Sequence, residues 1–112
     1  MNTNARIHGL GTAIATPFTP SGEVDYEAFA RLVAYQTGTG SFPARIAAEA
    51  GGVDFLVVLG STGEAATILD DERRRLVEVA RRSSGSVPVV VGTGTNATAR
   101  TVELTREAIE LG

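Results

Sequence analysis

The chain has 112 residues, 43% of them hydrophobic, which is enough for the core of one domain or of part of one. Its formal net charge is −3, so it lacks the basic surface needed to bind nucleic acid or anionic membranes. There is no cysteine, no apolar run of membrane-spanning length and no N-terminal signal pattern, so we expect a cytoplasmic protein without Cys-ligated metal or disulfides.

The first predicted unit joins an apolar strand over residues 11–15 to a helix over residues 25–36. Thr16-Pro17-Phe18 would end the strand, and Gly22 permits the turn toward the helix. Asp25 is a suitable N-cap, because its carboxylate can accept from the free N–H groups of the first turn. The predicted inward face of this helix consists of Phe29, Leu32 and Val33.

The first crossover is longer than a β/α unit needs, and the excess lies in residues 37–50. A segment rich in Gly, Thr and Ser leads to Phe42-Pro43 and then to an Ala-rich stretch around Ile46, which could form a short extra helix. Its length alone predicts an insertion.

The second predicted unit has a strand over residues 55–59 and a helix over residues 70–82. The strand is continuously apolar, which is typical of a buried strand in a parallel sheet. In the helix, Leu76, Val79 and Ala80 are expected to face inward. The outer side is expected to carry the i,i+4 ion pairs Asp70–Arg74 and Asp71–Arg75, with Arg73-Arg74-Arg75 as a solvated face.

Between these elements lies the loop Gly60-Ser61-Thr62-Gly63-Glu64. Gly60 is expected to allow a sharp turn, Gly63 a close approach of backbone to a ligand, and the two hydroxyls and free N–H groups to hold a carboxylate or phosphate. Glu64 is a candidate general base, although a capping or hydrogen-bonding role explains it equally well. A plain turn with hydroxyl caps is the alternative for the whole loop.

The third predicted unit has a strand over residues 87–91 and a helix over residues 96–111, with Asn96 as N-cap. Val102, Thr105 and Ile109 share one face of this helix, and Arg100 and Glu103 are expected on solvated faces. The connecting loop, residues 92–97, matches the dinucleotide pattern G-x-G-x-x-G/A, which makes nucleotide binding a competing hypothesis. That pattern normally opens the first unit and needs an acidic residue about 20 positions later, which this chain does not supply.

Three strand–helix units in this order predict an α/β fold with parallel strands and outer helices. Both edges of such a sheet expose unpaired backbone, and a complete (β/α)₈ barrel needs roughly 250 residues. We therefore expect residues 1–112 to be the first three β/α units of a TIM barrel, with an atypical insertion at about residues 37–50.

Three loops together carry a resemblance to a known family: Thr16-Pro17-Phe18 with Gly22-Glu23-Val24-Asp25, then residues 59–65, then residues 91–98. They resemble the N-terminal third of the dihydrodipicolinate synthase family, which belongs to the N-acetylneuraminate lyase group of class I pyruvate aldolases. The resemblance implies a (β/α)₈ lyase of lysine biosynthesis that needs no cofactor and is a homo-oligomer, a tetramer when full-length. It also implies that pyruvate forms a Schiff base with a lysine and then condenses with a small aldehyde, L-aspartate semialdehyde.

By motif position, the resemblance implies that Thr62 binds the pyruvate carboxylate through its hydroxyl and N–H, with Gly63 beside it. Ser61 would bind substrate as well and act as the hydroxyl of a proton relay. The loop residues Gly60 and Glu64, together with Thr16 and Asn96, would support the site, Asn96 as the cap of the third helix.

Two departures from the family pattern limit these implications. All ten basic residues are arginine, so the Schiff-base lysine is absent, and Tyr26 and Tyr35 do not match the two relay tyrosines; the isolated chain is predicted to be inactive. Ser61 replaces the usual threonine, as in the neuraminate lyase branch, so an N-acetylneuraminate or 2-keto-3-deoxy sugar acid lyase is an alternative. From a different class, the chain could be a non-catalytic module for carboxylate binding or assembly.

Overall fold

The computed structural model describes residues 7–39 and 52–112. Within these residues, three parallel strands alternate with three α-helices, as the sequence predicts. The elements are β1 (Gly11–Ala13), α1 (Tyr26–Thr37), β2 (Phe55–Val58), a 3-10 helix (Ala65–Thr67), α2 (Asp70–Ser83), β3 (Val89–Val91) and α3 (Thr98–Glu110). None of these helices is long and apolar enough to cross a membrane.

The sheet has the order β1-β2-β3, with Ala13 opposite Val57 and Val58 opposite Val91. Side chains alternate along β2: Leu56 and Val58 are fully buried, whereas Phe55 and Val57 are only half-buried. The run was predicted to be buried on both faces, and in this chain only the helix-facing side is fully covered.

Helix α1 begins and ends as its local sequence dictates. The Asp25 carboxylate accepts from the Ala28 N–H at 2.9 Å, which satisfies one of the free donors of the first turn. Gly38 ends the helix in the left-handed conformation, with φ of 73°, which costs glycine little. The cap predicted at Asp25 is therefore confirmed.

The core lies where α1 and α2 pack on the same face of the sheet. Phe29 and Val33 of α1 meet Leu76 and Ala80 of α2, and all four are almost fully buried. Each large apolar side chain buried in this way contributes about 1.5–3 kcal/mol to stability. The predicted inward faces are confirmed in these four residues, with Leu32 and Val79 packed at the edge.

The ion pairs predicted within α2 are wrong. Asp70 pairs with Arg100, and Arg74 pairs with Glu107, so both contacts join α2 to α3. Arg75 lies over the ring of Tyr26 instead, with its guanidinium carbon 4.0 Å from the ring centroid. Long charged side chains on the outside of α2 therefore contact α3 and α1 rather than one another.

The cap predicted for α3 is also wrong. The helix begins at Thr98, Ala97 occupies the cap position, and no side chain caps the end. The Thr95 hydroxyl instead accepts from the Ala97 N–H at 3.1 Å, and the Thr95 N–H donates to the Thr101 hydroxyl at 2.9 Å. Two threonines therefore organise the helix start that was assigned to Asn96.

The end of α1 and the residues just before β2 lie next to each other. The Val53 N–H donates to the Gln36 carbonyl at 2.9 Å. A Cβ added to Gly52 would lie 2.5 Å from the Thr37 carbonyl oxygen, so the two ends nearly touch. The extra helix predicted around Ile46 lies outside the described residues.

Candidate anion-binding corner at the strand ends

The loops that follow the three parallel strands meet at the carboxyl ends of the sheet, where α/β proteins bind ligands. The loop after β1 contributes Thr16, the loop after β2 contributes residues 60–64, and the loop after β3 begins at Gly92. We refer to Ser61, Thr62 and Gly63, together with the side chains and backbone that hold them, as the corner.

Thr16 holds the corner from the β1 side. Its hydroxyl is buried and donates to the Gly63 carbonyl at 2.7 Å. Gly63 is close-packed in turn, because an added Cβ would lie 3.1 Å from the Leu59 nitrogen and 3.3 Å from the Ile14 carbonyl. The glycine is thus needed for close approach of loop and strands rather than for a ligand alone.

The backbone bends at Leu59 and Gly60, and the left-handed residues of the loop are Leu59 and Glu64 rather than Gly60. Both residues have φ of 57°, in the left-handed region that side chains normally avoid. Strain of this kind persists only where surrounding structure over-determines it, and it concentrates at functional sites. The two left-handed residues bracket the loop and turn its centre outward.

Between these left-handed residues, the corner presents donors without internal partners. Ser61 and Thr62 are exposed, and within residues 7–39 and 52–112 their hydroxyls make no hydrogen bond. In the same part of the chain, the N–H groups of Ser61, Thr62 and Gly63 donate to no backbone acceptor. Free N–H and O–H groups of neighbouring residues in such a loop can hold a small carboxylate.

Glu64 does not cap the short helix that follows it. It occupies the cap position of Ala65–Thr67, but its side chain makes no capping hydrogen bond and is exposed. Its contribution to local structure is through the backbone: the Glu64 N–H donates to the Ser61 carbonyl at 3.0 Å, and the Glu64 carbonyl accepts from the Thr67 hydroxyl at 2.9 Å.

Gly92 packs directly on the start of the corner. A Cβ at this position would lie 2.1 Å from the Leu59 carbonyl oxygen and 3.1 Å from the Gly60 nitrogen. The first glycine of the dinucleotide-like pattern is therefore explained by contact with the neighbouring loop, which weakens the nucleotide-binding hypothesis. Gly94, by contrast, has open space around it.

Arg73 also lies in this region, and the charge pattern of α2 predicted the wrong environment for it. It was predicted on a solvated face, but it is only 8% exposed, and it donates to the Gly92 carbonyl at 2.6 Å. Burial lowers its pKa, an effect that the nearby carboxylate of Glu107 opposes. The signal was present in the spacing, since Arg73 precedes the buried residues Leu76, Val77 and Ala80 by three, four and seven positions.

Asn96 lines a cleft of about 600 Å³ together with Ala65 and Ala66, which follow the corner in the chain; Ser61, Thr62 and Gly63 do not line this cleft. Arg100, expected on a solvated face, is half-buried beside this cleft and pairs with Asp70 and Glu103. No group of three His, Asp or Glu side chains in the described ranges is arranged to hold a metal ion.

Parallel β/α units with outer helices, whose loops gather at the carboxyl ends of the strands, define an α/β protein of the barrel type. The model of the dihydrodipicolinate synthetase family matches residues 6–112. The chain belongs to this family, whose members are lyases.

The relatives and solved structures agree with this assignment. The chain is 49% identical to a 4-hydroxy-tetrahydrodipicolinate synthase from Thermotoga neapolitana over 93% of its own length and 31% of the relative's. The crystal structure of the Thermotoga maritima dihydrodipicolinate synthase matches with a TM-score of 0.76 at 43% identity, covering 93% of this chain and 31% of that chain. A structure of the Acinetobacter baumannii enzyme, described as chloride-inhibited and complexed with pyruvate, matches with a TM-score of 0.77 at 31% identity, covering 96% and 33%.

The chain therefore spans about a third of the length of these relatives, and its three units correspond to the N-terminal portion of their TIM barrels.

Proposed function

We propose that this chain supplies the pyruvate-carboxylate corner of a 4-hydroxy-tetrahydrodipicolinate synthase-like lyase. The observation that carries the proposal is the loop Gly60–Glu64, in which Ser61, Thr62 and Gly63 present free donors at the carboxyl ends of the strands. Family membership and the pyruvate named for the Acinetobacter structure support the choice of ligand.

In this proposal, the Thr62 hydroxyl and N–H, with the Gly63 N–H, donate to the two carboxylate oxygens of pyruvate. Charge-assisted hydrogen bonds to a carboxylate are stronger than neutral ones, so a small number of donors suffices to orient so small a ligand. Ser61, which is next to Thr62 and also exposed, would exchange a proton with the bound substrate. Thr16 supports the corner without touching the ligand.

In the proposed lyase chemistry, the condensation with L-aspartate semialdehyde needs an amine that forms an iminium with pyruvate, because the iminium accepts the electron pair left when the pyruvate methyl group loses a proton and so gives the nucleophilic enamine. The chain has no lysine. We therefore propose that the corner binds pyruvate but that the 112 residues alone form no Schiff base on a side chain. The complete enzyme would be a homo-oligomer, with the lysine and the relay tyrosines on further β/α units.

Two measurements test this assignment. Pyruvate and borohydride should leave no adduct other than one on the N-terminal amine, as weighed by mass spectrometry; an adduct on a side chain would contradict the proposal. Titration of the ¹⁵N-labelled chain with pyruvate should shift the amide signals of Thr62 and Gly63 with a dissociation constant of about 1–10 mM.

Thr62→Val keeps the shape of the side chain and removes one donor, so it should weaken this binding about tenfold. Ser86→Ala is the matched control, because Ser86 is an exposed hydroxyl at the opposite end of the sheet, before β3. If T62V binds pyruvate as tightly as the parent chain does, the assignment of Thr62 is wrong. If no saturable shift occurs in the parent chain, a purely structural or assembly role becomes the better account.

A further inference from the structure

Arg73 is a buried charged residue that takes no part in the apolar core or in the proposed chemistry. Its side chain lies on the inward face of α2, where Leu76 and Ala80 pack into the core. Burying a guanidinium is costly unless it is paired, and burial lowers the pKa of Arg73, with Glu107 opposing the effect. The group donates at 2.6 Å to a backbone carbonyl, that of Gly92.

Gly92 is thereby held from two sides. Its N–H donates to the Val58 carbonyl at 2.8 Å, which continues the ladder between β2 and β3, and its carbonyl accepts from Arg73. Its α-carbon lies against the Leu59–Gly60 peptide, because an added Cβ would be 2.1 Å from the Leu59 oxygen. The position of Gly92 therefore limits where that peptide can lie.

The Leu59–Gly60 peptide also adjoins a residue with a strained backbone conformation. Leu59 is 3% exposed and has φ of 57°, a conformation that leucine adopts only under external constraint. Thr16 fixes the other end of the loop through Gly63. The loop thus has one hydrogen-bonded support on the β1 side and one, through Gly92, on the β3 side.

We propose that Arg73 is a positioning residue for the corner. By holding the Gly92 carbonyl, its guanidinium keeps Gly92 pressed against the Leu59–Gly60 peptide, and so aims the Ser61, Thr62 and Gly63 donors. Arg73 does not touch the ligand. The proposal rests on the proposed function only in naming pyruvate as that ligand.

The test compares Arg73→Met, Arg73→Lys and the control Arg82→Met in the 112-residue chain. Arg82 lies on the same helix but is exposed, so its loss leaves the corner unchanged. In the ligand-free protein, R73M should displace the amide signals of Gly92 and of residues 60–63, whereas R82M should not. Pyruvate binding, measured on the folded protein, should weaken about tenfold in R73M.

Arg73→Lys retains a charged donor in a less suitable shape, so it should recover binding to within about threefold of the parent chain. A purely structural role would lower the urea midpoint of R73M without changing the affinity of the folded molecules. Parent-like loop signals and parent-like affinity in folded R73M would overturn the proposal.

Two further results keep the two proposals separate. If the parent chain does not bind pyruvate, the proposed function fails, and the ligand-free signals of residues 60–63 alone decide the role of Arg73. If R73M does not fold, Arg73→Gln decides, because its shorter side chain cannot hold the Gly92 carbonyl as the guanidinium does. Displaced signals of Gly92 and residues 60–63 in folded R73Q support positioning, and unchanged signals overturn it.

Discussion

At the scale of single residues, the corner depends on close contacts that tolerate little added volume. Gly92 is the tightest of them, since its α-carbon faces the Leu59 carbonyl. Gly63 is packed less severely, between Leu59 and Ile14. The exposed residues Ser61 and Thr62 are therefore held in place by closely packed neighbours.

Gly92→Ala should therefore destabilise the protein by about 2 kcal/mol, because the added methyl forces the loops after β2 and β3 apart. Gly94→Ala is the matched control in the same loop: nothing lies within 4 Å of its added Cβ, and the change should cost less than about 0.5 kcal/mol. Urea unfolding of both variants checks this pair. Equal free energies of unfolding for G92A and G94A would contradict the packing.

Tyr26 provides a pH-dependent probe of the α1–α2 contact. Burial raises its pKa above the ordinary 10.0, with Glu72 adding to the effect and Arg75, which lies over the ring, opposing it. A raised pKa in the folded state means that stability is complete below pH 10 and declines as the pH rises through the folded pKa. In a Tyr35→Phe background, the single remaining tyrosine should titrate above pH 10 by ultraviolet absorbance. A midpoint below 10 would contradict the contact.

At the scale of elements, α3 is held differently from α1 and α2. Leu104 is its one residue in the buried class, while Val102 and Ile109 are 43% and 53% exposed. Polar contacts of α3 include the two ion pairs with α2, the hydrogen bond at 2.8 Å from Arg81 to the Leu111 carbonyl, and hydrogen bonds of Thr101 and Thr105 with Thr95 and Thr93. Exposed ion pairs contribute at most about 1 kcal/mol each, so α3 depends on Leu104.

Leu104→Ala should therefore release α3 before the rest of the protein unfolds. We expect a loss of about 2–3 kcal/mol in the free energy of opening for α3 amides, with α1 amides unchanged, as measured by hydrogen exchange. Val102→Ala, at an exposed position of the same helix, should change neither helix by more than about 0.5 kcal/mol. Uniform loss of protection in both helices of L104A would instead show that they unfold together.

The first crossover leads to another prediction at this scale. Gly52 nearly touches the Thr37 carbonyl and Val53 is bonded to Gln36, so contacts between described residues already join the two ends of this crossover. Replacing residues 40–51 with two glycines should keep cooperative unfolding and change its free energy by about 1 kcal/mol or less. Loss of cooperative unfolding, followed by circular dichroism, would mean that the segment belongs to the core.

The sequence predicted elements better than it predicted their ends and contacts. Strand and helix positions follow from apolar periodicity, and the Asp25 cap from a strong local rule. The prediction of an Asn96 cap failed because Ala97 is extended and the helix begins only at Thr98, while the Thr95 hydroxyl accepts from the Ala97 N–H. The prediction of a solvated Arg73 was wrong because it rested on the charge of the side chain and not on its position on the inward face of α2.

The site was predicted less completely for a physical reason. Ser61 and Thr62 can be placed from their motif, but the residues that hold them are contacts across 47 positions, such as Thr16 to Gly63. Left-handed Leu59 and Glu64 have no local signature, since tertiary packing imposes the conformation. The functional roles of Ser61 and Thr62 stay predictions.

At the scale of the molecule, the described residues form part of a barrel rather than a closed sheet. The outer edges of β1 and β3 have no strand partner in the ranges described, and the inner face of β2 is only half-buried. Relatives about three times as long supply further chain. The corner is nevertheless built from three adjacent units, so it does not need the rest of the barrel for its internal contacts.

The most direct test of this account compares pyruvate with methyl pyruvate, which has the same carbon skeleton but no negative carboxylate. In amide-detected titrations of the 112-residue chain, we predict saturable shifts at Ser61, Thr62 and Gly63 for pyruvate, and at least tenfold weaker binding of the ester. Equal binding of the two compounds, or pyruvate shifts confined to residues elsewhere, would contradict the claim that this loop is a carboxylate-binding corner.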